Sequence, residues 1–143
     1  MAHWYPLNKP TQVTVFDVNY VIAKIPEGKN GETIVAMEDR CPHKSAFLSE
    51  GRVTSTGYLQ CAYHGWSFDG KDGTCVEIPQ VITKGGEKPT LTARACGTAV
   101  PAMIEQGMVW LFPGGQSRKK HYRRLFLQLF QKWIWTLFPH VQL

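Results

Sequence analysis

The chain has 143 residues, 43% of them hydrophobic, and a formal net charge of +5. That length suits one domain plus an extension. Residues 118–143 carry six Lys or Arg and no acidic residue, whereas residues 1–117 carry ten basic and eleven acidic residues. The positive charge therefore belongs to the C-terminal segment, and the rest of the chain lacks the basic character that indicates nucleic-acid binding.

Short apolar runs separated by turn residues favour an all-β fold, and 13 glycines and 9 prolines supply the breaks. Asn30-Gly31 predicts a hairpin turn, and Asp72-Gly73 predicts a second turn. The segments that predict strands are Gln12–Val18, Tyr20–Ile25, Glu32–Glu38, Gly57–Ala62, Trp66–Asp69, Leu91–Gly97 and Met108–Phe112.

Two short boxes carry the chemistry of this chain. One reads C-x-H and begins at Cys41, the other reads C-x-x-H and begins at Cys61, and seventeen residues separate them. Each box is too tight to lie within one strand, so each is predicted on a loop. Two cysteines and two histidines are the ligand set of a Rieske [2Fe–2S] centre, with thiolates on one iron and imidazoles on the other. The pattern assigns Cys41 and Cys61 to one iron, and His43 and His64 to the other.

A tetrahedral zinc site is the alternative interpretation, because two cysteines and two histidines also suit that ion. Zinc sites more often pair like ligands, as in C-x₂₋₄-C and H-x₃₋₅-H. Each box here holds one ligand of each kind, which favours the two-iron cluster. A zinc-stabilised interaction module remains the less favoured alternative.

The residues around the boxes resemble the pheophorbide a oxygenase family, which includes chlorophyllide a oxygenase-like enzymes. The resemblance runs from about residue 4 to residue 113. It rests on the words Trp4–Pro6, Arg40–Val53, Leu59–Gly70 and Ile78–Gln80.

Respiratory-complex Rieske proteins differ at two positions in and beside the boxes. They resemble C-x-H-x-x-C and C-x-C-H, and the additional cysteines form a disulfide that braces the two loops. This chain has Ala46 and Tyr63 at those positions. The disulfide cannot form here, which matches the oxygenase and ferredoxin types.

The resemblance implies stacked antiparallel sheets with the cluster at two loop tips, in a Rieske domain over residues 4–113. It also implies a ferredoxin-like reductant and an onward transfer of electrons to a mononuclear non-haem iron. That iron lies in a second domain, usually across a subunit boundary in a homotrimer, where a hydrophobic macrocycle such as a chlorophyll derivative is oxidised. A chloroplast location is implied too, although no transit peptide is visible at the start of the sequence.

The second iron site of such oxygenases needs two histidines and a carboxylate. Only His121 and His140 follow the boxes, and no Asp or Glu follows Glu105. The chain is therefore interpreted as the electron-transfer part of an oxygenase, truncated before its catalytic domain. The alternative is a self-standing Rieske ferredoxin.

Residues 114–143 form a separate tail in this interpretation. Its aromatic and basic residues recur near helical spacing, which is typical of a peripheral membrane-binding helix. No uninterrupted apolar stretch reaches the length of about 18 residues that spans a bilayer. The other interpretation is that the tail is the end of a truncated or alternatively spliced product.

Four further side chains have two interpretations each. Cys75 and Cys96 are predicted to be buried free thiols, although a disulfide between them is the alternative. Lys44 and Arg52 flank the first box, where they are either solvated charges or docking groups for an acidic ferredoxin.

Overall fold

The computed structural model describes residues 9–27, 31–80, 93–105 and 108–113. These residues form ten strands and one short 3₁₀ helix, Ala93–Ala95. The strands are β1 (Thr11–Val15), β2 (Val18–Glu27), β3 (Gly31–Glu38), β4 (Arg52–Val53), β5 (Leu59–Gln60), β6 (Ser67–Phe68), β7 (Cys75–Glu77), β8 (Ala99–Val100), β9 (Ala102–Glu105) and β10 (Met108–Leu111).

The strands make three antiparallel sheets, which confirms the all-β prediction. A four-stranded central sheet has the order β1-β2-β3-β8. A second four-stranded sheet, here called the loop sheet, has the order β4-β5-β6-β7, and β9 and β10 form a two-stranded sheet. Each of these ladders is antiparallel, and neighbouring strands follow one another in the chain, except that β3 pairs with β8 and the loop sheet lies between them in sequence.

The central sheet lies between two cores, and the side chains of β2 point alternately into one and the other. Val21, Ala23 and Ile25 join the core shared with the loop sheet. Tyr20 and Ile22 join a second core on the opposite face, which includes residues of β8 and is flanked by side chains of β9 and β10. A strand buried on both faces reads as a nearly continuous apolar run, and the middle of β2 does so apart from Lys24.

The loop sheet packs directly against the central sheet. Phe68 and Leu59 are fully buried there beside Met37 of β3. At Gly70 the backbone comes so close that a Cβ would lie 2.5 Å from Val35 Cγ2. This close approach brings the loops that flank the loop sheet onto the core shared by the two sheets, here called the main core.

The predicted strands agree with β1, β2, β3, β5, β6 and β10, while the boundaries shift by a few residues. The strands β4, β7, β8 and β9 were not predicted. The prediction of a strand over Leu91–Gly97 is wrong for its described part, since Ala93–Ala95 is a 3₁₀ helix. The turn at Asp72-Gly73 is confirmed, and Gly73 has a φ of 82°.

Some predictions fall on residues that the structure does not describe. These are the opening words at residues 4–6, the turn residue Asn30, and the tail over residues 114–143. Within the described ranges, no helix is long and apolar enough to cross a bilayer.

The hairpin between β1 and β2 holds two side-chain-bearing residues in the left-handed region. Val15 pairs with Val18, and the two residues between them, Phe16 and Asp17, have φ values of 50° and 60°. Two-residue hairpin turns of this kind favour Asn-Gly because other residues are strained at positive φ. Phe16 is also 90% exposed.

We expect the double change Phe16→Asn and Asp17→Gly to raise the free energy of unfolding by about 1 kcal/mol, because strain at both positions is relieved. Urea unfolding followed by tryptophan fluorescence measures the change. Ser55→Gly is the control, since Ser55 has no positive φ and glycine there only adds freedom to the unfolded chain. A stabilising effect of similar size in both variants would contradict the strain argument.

Asp39, directly after β3, is a buried carboxylate that joins three parts of the fold. It is 3% exposed. Its carboxylate accepts hydrogen bonds from Gln12 Nε2 at 2.6 Å and from the Ser49 backbone N and Oγ at 2.8 and 2.6 Å. Its own N–H donates to Asn19 O at 2.9 Å. The segment between Asp39 and Ser49 is therefore closed at its base.

We expect Asp39→Ala to lower the free energy of unfolding by about 3 kcal/mol, because three donors from Gln12 and Ser49 lose a charged acceptor. Glu50→Ala is the matched control, since Glu50 is an exposed carboxylate beside Ser49 and should change stability by less than about 0.5 kcal/mol. Equal losses in the two variants, measured by urea unfolding, would show that the Asp39 contacts add no stability.

Candidate metal centre

The first box lies on the loop between β3 and β4, and two backbone hydrogen bonds fold it around its cysteine. Cys41 N donates to Ala46 O, and Ser45 N donates to Cys41 O, both at 2.8 Å. Ser45 has a φ of 56°, which turns the chain back toward Cys41. Arg40 Nε donates to Ser45 Oγ at 3.0 Å and holds that turn.

The second box lies between β5 and β6 and repeats the same backbone pattern. Cys61 N donates to Trp66 O at 2.8 Å, and Gly65 N donates to Cys61 O at 3.0 Å. Gly65 has a φ of 73° at the position that Ser45 occupies in the first loop. The two boxes are thus two copies of one loop, each closed on its own cysteine.

The structure brings the four predicted residues together as a pair of thiols and a pair of imidazoles. Cys41 and Cys61 are buried, with 2% and 3% exposure, and their thiols interact with each other. The ring centroids of His43 and His64 are 4.7 Å apart, and the rings are tilted by 60°. Across the described ranges, no three His, Cys, Asp or Glu side chains form a group that could hold a single ion.

The surroundings of Cys41 and His43 favour the neutral forms of these two side chains. Burial raises the pKa of the Cys41 thiol, and the nearby Cys61 thiol raises it further. Loss of hydration, together with the neighbouring His64 and Lys44, lowers the pKa of His43. Neutral imidazole is the form that binds a metal, whereas each thiol must release a proton to do so. Metal binding to this site is therefore coupled to proton release from the cysteines.

One imidazole nitrogen is left without a partner in the described structure. His64 Nδ1 is buried and makes no hydrogen bond. A buried polar atom without a partner lowers stability by roughly 1–3 kcal/mol, so such atoms are uncommon in native folds. A bound iron would satisfy this nitrogen, and the residues present therefore fit an iron–sulfur cluster held by two thiolates and two imidazoles.

Two further aromatic rings lie against the imidazoles. Trp66 stacks on His43 with the ring centroids 4.5 Å apart and the planes 5° from parallel. Tyr63 lies against His64 with the centroids 4.0 Å apart, and 64% of Tyr63 is exposed. Trp66 also packs on the main core. The pair of imidazoles is thus covered on one side by the core and open to solvent on the other.

The segment after β7 supports the second loop, a contact that the sequence did not reveal. Gln80 Nε2 donates to His64 O at 2.7 Å. A Cβ at Gly65 would lie 3.1 Å from Pro79 Cγ, so the loop and this segment are in close contact. The side chain of Gln60 reaches the next carbonyl, Gly65 O, at 3.3 Å.

A row of polar side chains crosses the loop sheet beneath the second loop. Arg52 Nε donates to Gln60 Oε1 at 2.8 Å, and Gln60 Nε2 donates to Ser67 Oγ at 3.1 Å. Ser67 Oγ donates to Glu77 Oε2 at 3.3 Å. Each of these residues is the direct cross-strand partner of the next. Arg52, predicted as a solvated or docking charge, therefore has a structural partner in Gln60.

The two cysteines outside the boxes are not joined by a disulfide, and neither are Cys41 and Cys61. Cys75 is buried, with its Sγ 3.7 Å from Glu77 O, and burial raises its pKa to about 11. Cys96 is only half-buried. The prediction of thiols rather than a disulfide is thus confirmed, with burial complete only for Cys75.

Comparison with known proteins agrees with this geometry. The family model described as the Rieske [2Fe-2S] domain matches residues 3–92. Pheophorbide a oxygenase from Oryza sativa subsp. japonica is 44% identical over 82% of this chain and 23% of its own length. Protein TIC 55 from Arabidopsis thaliana is 38% identical over 76% of this chain and 20% of its own length. Both relatives are chloroplastic proteins.

Among solved structures, dicamba monooxygenase superposes with a TM-score of 0.61 and 33% identity, over 77% of this chain and 31% of that chain. The chain thus spans less than a third of each of these oxygenase relatives. The matched family model covers well over half of the chain, both boxes included. The chain therefore belongs to the Rieske [2Fe-2S] domain family and is homologous to part of pheophorbide a oxygenase.

Proposed function

We propose that Cys41, His43, Cys61 and His64 hold a [2Fe–2S] cluster and that the chain serves as an electron-transfer domain. The observation that carries this proposal is the pairing of like donors at the tips of two loops with the same backbone pattern. The thiol pair, buried in the core, would bind one iron, and the half-exposed imidazole pair would bind the other. A cluster with these ligands takes up and releases one electron at a time.

The chain's own residues suit this role because they give the proposed site a buried side, at the thiols, and a solvent-exposed side, at the imidazoles. The thiols lie against apolar residues of the main core, which exclude water. The imidazoles lie beside exposed residues of both loops, where a redox partner can approach. A short distance to the partner and rigid surroundings favour electron transfer through the histidine side.

We further propose that the electrons serve an oxygenase reaction at a mononuclear non-haem iron. The homology to pheophorbide a oxygenase and dicamba monooxygenase supports this placement. The sequence after Glu105 contains no carboxylate to complete a two-histidine, one-carboxylate site. The iron would therefore be held by residues of a separate catalytic domain, and a homotrimer of the kind the family resemblance implies would place it near the loop tips. The chloroplastic relatives support a chloroplast location.

We expect the anaerobically reconstituted, dithionite-reduced chain to give a Rieske-type EPR signal, with two irons and two sulfides per chain. Cys41→Ala should abolish the signal because one thiolate ligand is lost. Cys75→Ala is the matched control: Cys75 is equally buried but lies outside the boxes, so its loss should cost about 1 kcal/mol of stability and leave the iron content unchanged.

Two results would count against the assignment. An EPR-silent wild-type chain with bound zinc would favour the zinc-stabilised module. Loss of the cluster in Cys75→Ala with retention in Cys41→Ala would remove Cys41 from the ligand set.

The reductant is proposed to be an acidic, ferredoxin-like protein that docks at the loop tips. Lys44 follows His43 directly, and it is exposed, as is Arg40 before the box. Phe47 and Tyr63 add exposed apolar area, 48% and 64% exposed, beside these charges. Positive charge around an apolar contact suits transient docking of an acidic partner.

We expect Lys44→Glu to slow reduction of the chain by a plant-type ferredoxin by about tenfold at low ionic strength, because a steering charge is reversed. The difference should shrink as salt is added, since exposed charges are screened beyond about 10 Å at 0.1 M. Stopped-flow spectroscopy measures the rate. Lys71→Glu is the control, since Lys71 is exposed at the other end of β6 from the second loop, and an equal slowing there would contradict docking at the tips.

A further inference from the structure

We propose that Trp66 is a positioning residue that couples the two loops and sets the reduction potential of the centre. The inference rests on the proposed role of His43 as an iron ligand. Trp66 and His43 come from different loops, yet their rings are stacked, 5° from parallel with the centroids 4.5 Å apart. A side chain of one loop thus lies flat on a donor residue of the other.

The backbone of Trp66 is fixed independently of that contact. Its carbonyl accepts the hydrogen bond from Cys61 N at 2.8 Å, which closes the second loop. Its side chain packs against buried residues of the main core. The indole is therefore held by the core and by its own loop, so it can restrain His43 rather than merely follow it.

This contact stands where a covalent link is absent. None of the four cysteines forms a disulfide in the described structure, and Ala46 and Tyr63 occupy positions at which a disulfide would join the loops. Gln60 of the polar row and Gln80 both donate to carbonyls of the second loop. Within the described ranges, the other ring contact between the two loops joins His43 to His64, both proposed ligands. Trp66 thus connects the two loops through a ring contact without itself being a proposed ligand.

The indole also decides how much water reaches one face of His43. Reduction adds a negative charge to the centre, and water stabilises that charge better than an apolar side chain does. The shell around a metal site sets its potential through this access of solvent. Cover by Trp66 therefore holds the potential lower than it would be with the imidazole face open.

Trp66→Leu tests this inference, because it keeps an apolar side chain but removes the flat ring. We expect a higher midpoint potential by EPR-monitored redox titration, and less iron retained per chain after desalting. Trp66→Phe keeps a stacked ring and should match the wild type in both readouts. Trp110→Leu is the matched control: Trp110 is half-buried in β10 of a different sheet, so its loss should lower stability without moving the potential.

The outcomes separate the role of the ring from other roles. A wild-type potential and iron content in Trp66→Leu would overturn the inference, as would an equal potential shift in Trp110→Leu. Trp66 Nε1 is buried and makes no hydrogen bond in the described structure. If Trp66→Phe shifts the potential as far as Trp66→Leu, the indole N–H rather than stacking is responsible, and the inference fails.

Two more variants decide the case if Trp66→Leu does not yield folded protein. Trp66→Tyr carries a flat ring, whereas Trp66→Met carries a flexible side chain. The inference requires Tyr to preserve iron content and potential and Met to change them, and equal behaviour overturns it. A wild-type chain without the EPR signal overturns the proposed function and this inference together, whereas a normal wild-type signal with unaltered variants overturns the inference alone.

Discussion

The pair of backbone hydrogen bonds at each box cysteine is the constraint on which the rest of the site depends. At Cys41 and at Cys61, the N–H reaches a carbonyl five residues on, and the carbonyl accepts from an N–H four residues on. This closure needs a residue with positive φ four positions after the cysteine. Ser45 and Gly65 occupy that position. With both loops closed alike, the thiols point into the core and the histidines lie next to each other at the tips.

Neighbouring segments then hold the closed loops in place through many weak contacts. Asp39 binds Ser49 at the base of the first loop, and Gln80 binds the His64 carbonyl in the second. Each such hydrogen bond contributes roughly 1 kcal/mol, more where a carboxylate accepts. Rigid support of this kind reduces the rearrangement of ligands when the charge of a bound centre changes, which suits one-electron transfer.

The boxes could be predicted from sequence because cysteine and histidine at fixed short spacing suit few sites besides a metal centre. The long strands β2 and β3 were equally readable, since they are ten and eight residues long and each contains an apolar run of at least four residues. Arg52–Val53 and Ala99–Val100 are strands of only two residues, too short to show a period. The contacts of Gln80 and Trp66 were hidden for another reason: they join residues 16 and 23 positions apart in the chain, which meet only once the loops have folded.

Each loop is closed by hydrogen bonds to its own cysteine. The length of the segment between the boxes can therefore change without opening either loop. The chain leaves the first loop, forms the β4–β5 hairpin and turns there through Thr54 and Gly57, whose backbone groups bond at 2.9 Å. Ser55 and Thr56 at that turn are exposed. Lengthening the hairpin there would leave both loops intact, because neither loop draws a backbone bond from the turn. Evolution can therefore remodel this turn, which lies at the end of the β4–β5 hairpin away from the boxes, without altering the donor array.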